Sequence, residues 1–459
     1  MEATRANRRG PVLEVRLLLA AACLVAAAMD GPASASVPTS YDLRNVGGKN
    51  YMTSVKAQSP CSACWAFATY GALESYIKTQ EYSDWPTGPD FSENDLKNTH
   101  GFDLTHCAGG NIWMSAAHLS RLDGPVAESD DPYNPHSGTS TTTGPRQRFL
   151  ASMLVGGTPS KSGMMSTGAM HVSMYWNAAY YCASDSTYYY SGTSVGTNHA
   201  VVVAGWDDNK ATASPNPGAW LVKDCKGTGT HNAGYFWISY DDTVACKTST
   251  MYQTAANDVI NVNKCYCHDY NGRVAVSNET LAANVFTTGD GPEDVVRVGI
   301  YAEGEGQYLV EVYSGNACTG GGGGLGNPPL GSTIVQGLPR GYKTTPITDD
   351  DGNTITLPAN STFTVMVTVQ GDTGGANVMA FDTAKAGYCS GSTAGAGESY
   401  FFNDNTGQWE DLYTYNWPGG QIQVNTSNWC IKAFTIPEPA TMGLLVLGAV
   451  GVLARRRRG

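Results

Sequence analysis

Apolar residues change their spacing several times along this chain. Between Trp65 and Ile77 the apolar positions Trp65, Phe67, Leu73 and Ile77 are separated by small residues. This spacing predicts a buried helix whose first turn carries Cys64. The polar Thr197-Asn198-His199 leads into Ala-Val-Val-Val-Ala-Gly-Trp206, a run long enough for a buried strand. From about residue 255 to 434 long helical periodicity disappears. Val295–Tyr301, Tyr308–Tyr313 and Phe363–Val369 are β-rich runs parted by Gly, Asn, Asp and Pro loops, among them Gly320–Gly324. They predict an antiparallel β-sandwich. Two more apolar runs, Leu17–Ala28 and Ala440–Ala454, lie near the ends.

Length and composition narrow this picture. At 459 residues the chain has room for two or three domains, each with a real core, which excludes a single small disulfide scaffold. With 41% hydrophobic and 15% charged residues, 54 Gly, 25 Tyr and 10 Trp, it is globular, loop-rich and β-rich, not disordered or coiled-coil. The formal charge is −12; setting aside the four Arg and three acids of residues 1–35 and the four Arg and one acid of 437–459 leaves 20 basic against 36 acidic residues, or −16. A nucleic-acid binder needs a basic face for phosphates, so no nucleic-acid partner is expected.

The ends carry addresses. Arg5, Arg8, Arg9 and Arg16 precede the first apolar run, and Ala33-Ser34-Ala35 follows it, the layout of a secretory signal peptide over residues 1–35 cleaved after Ala35. Ala20-Ala21-Ala22-Cys23 has Ala where lipoprotein sites usually have Leu, and the apolar run continues past Cys23. At the far end Ile436-Pro437-Glu438-Pro439 leads into fifteen apolar residues, 440–454, and then Arg455–Arg458. That helix is shorter than the ~20 residues that span a bilayer, and the Arg cluster fits an inner flank. One reading is a short tail anchor. Residues 436–459 also resemble the PEP-CTERM sorting signal of Gram-negative bacteria. The resemblance implies transient membrane contact through residues 440–454, recognition by an exosortase, and delivery to the outer surface or extracellular matrix.

Twelve Cys, less Cys23, leave eleven in an exported chain, an odd number that singles out one thiol as special. Cys64 is the candidate. At a helix N-terminus it feels the positive end of the dipole, which lowers its pKa and populates the nucleophilic thiolate. Gln58, six residues upstream, is placed to donate its amide toward an oxyanion beside the Cys64 N–H. Cys61-Ser-Ala-Cys64 alone also fits a redox pair or half a zinc site, but no second C-x-x-C follows at zinc spacing and no βαβ pattern surrounds it.

Gln58-Ser-Pro-Cys61-Ser-Ala-Cys64-Trp65-Ala-Phe67 resembles the active-site segment Q-x-x-C-G-S-C-W-A-F of papain-like cysteine peptidases. Tyr41-Asp42-Leu43-Arg44 resembles the start of that family's mature chain, Phe91–Leu96 its next helix, and Cys107-Ala-Gly109-Gly110 its C-x-G-G segment. The resemblance implies that Gln58 serves the oxyanion hole, Cys61 pairs with Cys107, Cys64 is the nucleophile, Trp65 packs beside it, and Gly109 and Gly110 wall the cleft. Ser62 stands where the family has Gly, which would crowd a bound backbone. Cleavage after Ala35 would leave about five residues before Tyr41, too few for the long inhibitory pro-segment of many members.

A thiolate nucleophile needs a base. His199 lies 135 residues after Cys64, within the interval the family shows. A His entering a buried strand is by default a satisfied core residue, and the Cys64 motif is what turns the reading toward catalysis. His171, the runner-up, lies in a segment resembling an earlier core strand. Lys223-Asp224-Cys225-Lys226-Gly227 aligns with the family's K-N-S-W-G, so Asp224 replaces the Asn that orients the imidazole, Cys225 the Ser and Lys226 the covering Trp. A carboxylate still accepts the imidazole N–H and favours the imidazolium. Losing the Trp predicts a more exposed His–Asp contact, with Lys226 competing for Asp224.

The expected fold is α+β: a papain-like two-lobed domain over 36–250 and an all-β sandwich over 255–434. Tyr-Asn-Gly at 270–272, Ala-Asn-Val-Phe at 283–286 and Gly-Gln-Trp-Glu-Asp-Leu at 407–412 resemble the lectin-like domain that accompanies bacterial and archaeal members. That implies a glycan or extracellular polysaccharide partner, although Trp409 reads as core. Cys265 and Cys267, too close to bridge each other comfortably, are expected to bridge elsewhere. No cofactor or metal is expected, and the substrate is a protein or peptide. Two function classes follow: an exported, surface-sorted cysteine endopeptidase, or a catalytically degenerate surface binding or adhesion protein on the same domains. A transpeptidase working through the same acyl-enzyme is a third.

Overall fold

Among the described residues, four α-helices and two sheets position the site. The computed structural model describes residues 36–81, 88–140, 150–193, 195–254, 262, 264–304, 306–319, 328–336, 340–371, 378–415 and 425–437. The signal segment 1–35, the Gly320–Gly324 loop and residues 438–459 lie outside the described residues. Helix α1 spans Cys64–Thr79 and is buried over most of its circumference, as its small residues between Trp65, Phe67, Leu73 and Ile77 require. It packs on the strands Met170–Met174, His199–Asp207 and Ser249–Thr254. Helices α2 (Glu93–Thr99), α3 (Ile112–Ser120) and α4 (Lys161–Thr167) are capped by Ser92, Asn111 and Ser160, whose side chains accept first-turn N–H groups. Ala63 before α1 offers no such cap. The first amides of α1 are therefore not taken by a capping side chain.

The second lobe is a run of antiparallel strands. Ser40–Asp42 and Met170–Met174 pair with His199–Asp207, which pairs with Ala219–Lys223, which pairs with Tyr235–Ser239. His199 opens its strand and every residue from it to Trp206 is buried. Leu43, Met170, Val203, Trp206 and Phe236 fill this lobe's core.

The C-terminal half is a β-sandwich. One sheet runs antiparallel in the order Gly331–Gln336, Gln307–Ser314, Thr362–Gln370, Leu281–Thr287, Ser399–Asn403, Gln408–Asp411. The facing layer centres on Glu293–Ala302, paired with Gly341–Pro346 and Ile431–Pro437. Val298, Ile300, Val310, Phe363 and Trp429 interdigitate between the layers. Trp409 packs on Phe402 in a satellite cluster.

Pairing across the two halves was not legible beforehand. Leu150–Gly156 pairs with Ser249–Thr254 on one side and with Gly341–Pro346 of the sandwich on the other, Tyr342 lying opposite Met153. Lys432 and Asp269 form an ion pair in the sandwich with neither side chain exposed. The final strand continues through Pro437, which lies opposite Glu293. Among the described residues no helix is long and apolar enough to cross a membrane.

Candidate active site

Cys64 is the first residue of α1 and half-buried, opening onto a cleft of about 310 Å³. Trp65, Gly109 and Gly110 line this cleft with Cys64 and His199, and Ser62 sits at its mouth, exposed. A Cβ on Gly110 would meet the Trp65 indole at 2.4 Å, so only glycine lets the wall lie flat on that ring. Gly109 holds φ at +88°, a backbone turn that favours glycine. Cys61 and Cys107 form a disulfide that ties the start of α1 to this wall. The other nine Cys of the described residues are thiols. Cys265 and Cys267 were expected to bridge elsewhere; their side chains instead hydrogen-bond each other.

His199 projects from the start of its strand, and its Nε2 lies 2.7 Å from Asp224 Oδ1. The other ring nitrogen is left for Cys64, with which His199 is hydrogen-bonded. Asp224 follows the strand Ala219–Lys223, and its Oδ1 also accepts the Cys225 N–H at 2.8 Å. Burial alone would lower the His199 pKa, but its bonds to Asp224 and Cys64 and their charges raise it to about 9. Burial would raise the Asp224 carboxyl, yet hydrogen bonds from His199 and His231 and the Lys226 charge hold it far below the usual range. Burial likewise opposes ionisation of Cys64; the hydrogen bond and charge of His199, with the N–H groups of Ala200 and Trp65, bring its pKa below that of an ordinary thiol. The arrangement favours a thiolate beside an imidazolium.

His171 lines the same cleft from the strand Met170–Met174, but its Nδ1 faces Thr69 Oγ1 at 3.4 Å. Burial pulls its pKa down to about 3, so it is neutral.

Gln58 is stitched to the loop after Asp224. Its N–H donates to Cys225 O at 2.8 Å, and its Oε1 accepts the Cys225 thiol at 3.0 Å. That contact turns the amide oxygen toward Cys225 and its N–H groups away. Donor atoms of His199, Asp224 and Cys225 lie within 4.8 Å of one another, as a metal would require. They are spent instead on this hydrogen-bond chain.

The expected exposure of the His199–Asp224 contact is overturned. The Asp224 side chain is 0% exposed and that of His199 6%. Cover comes from residues the sequence reading passed over. His231 Nε2 lies 2.9 Å from Asp224 Oδ2, and Trp176 meets the His231 ring edge-on at 5.3 Å. Lys226 does stand near, 3.6 Å from Asp224 Oδ2, but its ammonium also rests over Trp176 at 3.8 Å and leaves the His199 bond intact. His231 had one available signal: an aspartate in place of an amide has a second acceptor oxygen that a nearby donor must satisfy.

Residues 37–256 match the model of the papain family cysteine protease, 265–435 that of a lectin like domain, and 435–458 the PEP-CTERM protein-sorting motif. Cathepsin K of Mus musculus is 27% identical over 225 residues, 47% of this chain and 64% of its own length. A viral cathepsin of Choristoneura fumiferana nuclear polyhedrosis virus is 29% identical over 213 residues, 44% and 59% of the two. The chain thus spans about three fifths of the length of these curated relatives. Among solved structures, the clostridial cysteine protease Cwp84 after propeptide cleavage matches 87% of this chain and 99% of its own, with a TM-score of 0.74 at 24% identity. The cysteine protease and lectin-like domains of Cwp84, a surface layer associated protein of Clostridium difficile, match at a TM-score of 0.72 and 24% identity, over 87% and 89%. At that identity the likeness speaks to the fold, and it covers both halves in one arrangement. The chain therefore carries a papain-family cysteine protease domain, followed by a lectin-like domain and a PEP-CTERM sorting motif.

Proposed function

We propose that this protein is an exported, surface-sorted cysteine endopeptidase that cleaves peptide bonds through a Cys64–His199 thiolate–imidazolium pair. The observation that carries this reading is the unbroken chain from Cys64 through His199 to a buried Asp224. The thiolate attacks the scissile carbonyl carbon; the developing oxyanion takes hydrogen bonds from the Cys64 N–H and the Gln58 amide. His199 gives its proton to the leaving amine, then accepts one from the water that hydrolyses the thioester. Asp224 holds the imidazole in line throughout. Trp65, Gly109 and Gly110 shape the cleft in which the substrate backbone lies.

The remainder of the reading concerns place and partners. Residues 1–35 direct export, and an exosortase acts on the tail after the residues 440–454 have held the protein at the membrane. The lectin-like domain fits a glycan or extracellular polysaccharide. The test is labelling of purified protein by an epoxide inhibitor of papain-like enzymes, together with peptide hydrolysis by the parent and Cys64→Ala. Labelling at Cys64 and loss of hydrolysis in the variant are expected. A Cys64→Ala protein with full activity would sink the assignment, and an inert, unlabelled parent would favour the binding or adhesion reading.

A further inference from the structure

Asp224 stands where an amide would offer one acceptor and one donor; as a carboxylate it offers acceptors alone. Oδ1 faces His199 at 2.7 Å, and Oδ2 needs a donor of its own inside a site where the Asp224 side chain has no exposure. Two candidates reach it. His231 Nε2 is 2.9 Å away with its side chain 5% exposed, and Lys226 Nζ is 3.6 Å away and 28% exposed. They pull differently. Lys226 is a mobile charge on a long stem, whereas the His231 ring is fixed between Trp176, Tyr181 and Phe236 at centroid distances of 5.3, 4.8 and 4.7 Å.

The backbone is bent to bring this ring in. His231 and Ala233 hold φ at +53° and +51°, conformations that cost a non-glycine residue, and the loop closes by the Asp224 N–H donating to Gly234 O at 2.9 Å. The other ring nitrogen, Nδ1, is buried without a hydrogen bond. His231 therefore spends its polar capacity on Asp224 alone.

We propose that His231 is a positioning residue of the catalytic centre, holding Asp224 Oδ2 so that Oδ1 stays on His199 and is not drawn off toward Lys226. The inference rests on the peptidase reading above and explains how that site tolerates a carboxylate in place of the family's amide. The charged and titratable groups facing His231 are Asp224 with His199 behind it, Lys226 beside it, and the Tyr181 ring.

The test compares His231→Ala, His231→Gln and Asp224→Asn with and without His231→Ala, read by kcat, KM, the alkaline limb of kcat/KM, and the pH dependence of Cys64 alkylation by iodoacetamide. His231→Ala is expected to lower kcat about 10- to 100-fold with KM unchanged, within the range of general-base positioning. It should also move the alkaline limb below about 9, because an imidazolium that loses its anion is easier to deprotonate. His231→Gln keeps an N–H donor at similar reach and should stay within about threefold of the parent with the limb unmoved. With a neutral amide at 224 there is no charge for Lys226 to attract, so His231→Ala should then cost less than about threefold, a non-additivity that a double-mutant cycle reads directly. Parent-like kinetics in His231→Ala overturn the inference, as do equal losses in His231→Ala and His231→Gln with an unmoved limb, or equal losses in both backgrounds. If His231→Ala does not fold by circular dichroism, His231→Gln decides: loss of its activity or a moved limb overturns the inference, and parent-like values support it. A parent that neither hydrolyses peptides nor alkylates at Cys64 fails the peptidase reading instead.

Discussion

Replacing Asp224 by alanine removes the anion on which the site's electrostatics turn. The preference of His199 for its charged form, raised from the ordinary 6.5 to about 9, corresponds to about 3 kcal/mol of imidazolium stabilisation. The sign is that of a base gaining a partner: the stabilisation is complete below pH ~6.5 and lost as pH rises through about 9. Without Asp224, only the Cys64 contact is left to oppose burial, and the His199 pKa falls below about 9. At pH ~7.5 the site then holds less imidazolium, and the productive ion pair is less populated. Loss of orientation adds a further factor, so kcat/KM should fall by ~10²–10⁴. Asp224→Asn keeps an acceptor on His199 but opposes an amide N–H to the His231 N–H now on Oδ2. His231 must switch tautomer to receive it, burying an unpaired N–H at Nδ1, where the ring has no partner. The expected result is a rate within about tenfold of the parent and an alkaline limb below 9. Kinetics of a fluorogenic peptide from pH 5 to 10, with folding checked by circular dichroism, measure all three proteins. A limb that stays near 9 in Asp224→Ala, with a rate within threefold of the parent, would refute the reasoning.

Gly110→Ala places a methyl 2.4 Å from the Trp65 ring and should lower Tm and raise KM, at about 1–3 kcal/mol for overpacking; an unchanged KM would show that the wall does not touch substrate. Lys432→Met leaves Asp269 buried without its cation and should destabilise the protein by about 3–5 kcal/mol in urea unfolding. Removing residues 438–459, past the end of the last paired strand, should leave Tm and peptide hydrolysis intact while changing where the protein collects in cell fractionation. Retention on the envelope at the parent's level would count against the sorting role of the tail.

The pairing of Cys64 with His199, proposed above as nucleophile and base, has local signals in the chain: Cys64 stands at the head of a recognisable helix pattern, and His199 at the polar step into an apolar strand. The sandwich was legible for the same reason, its strands being alternating or apolar runs between turn residues. His231 was not. Its contact with Asp224 depends on left-handed turns at His231 and Ala233, conformations for which neither residue type gives warning. Trp176, which covers the contact, reaches it from a different loop. The expectation of an exposed His–Asp contact went wrong here, because one missing Trp was weighed without the aromatic side chains that other segments bring. Leu150–Gly156 reads as an ordinary strand, and nothing in it names Gly341–Pro346 as its neighbour.

That neighbour has a consequence for any attempt to separate the halves. Leu150–Gly156 and Gly341–Pro346 each already have a partner on their far side, so cutting the chain between the domains turns two interior strands into open edges. Tyr342 and Met153, both 0% exposed, would meet water beside rows of unpaired N–H and C=O groups. Such edges template pairing with another chain. An isolated catalytic half is therefore expected to self-associate, because the strand that closes its sheet edge is supplied by the sandwich.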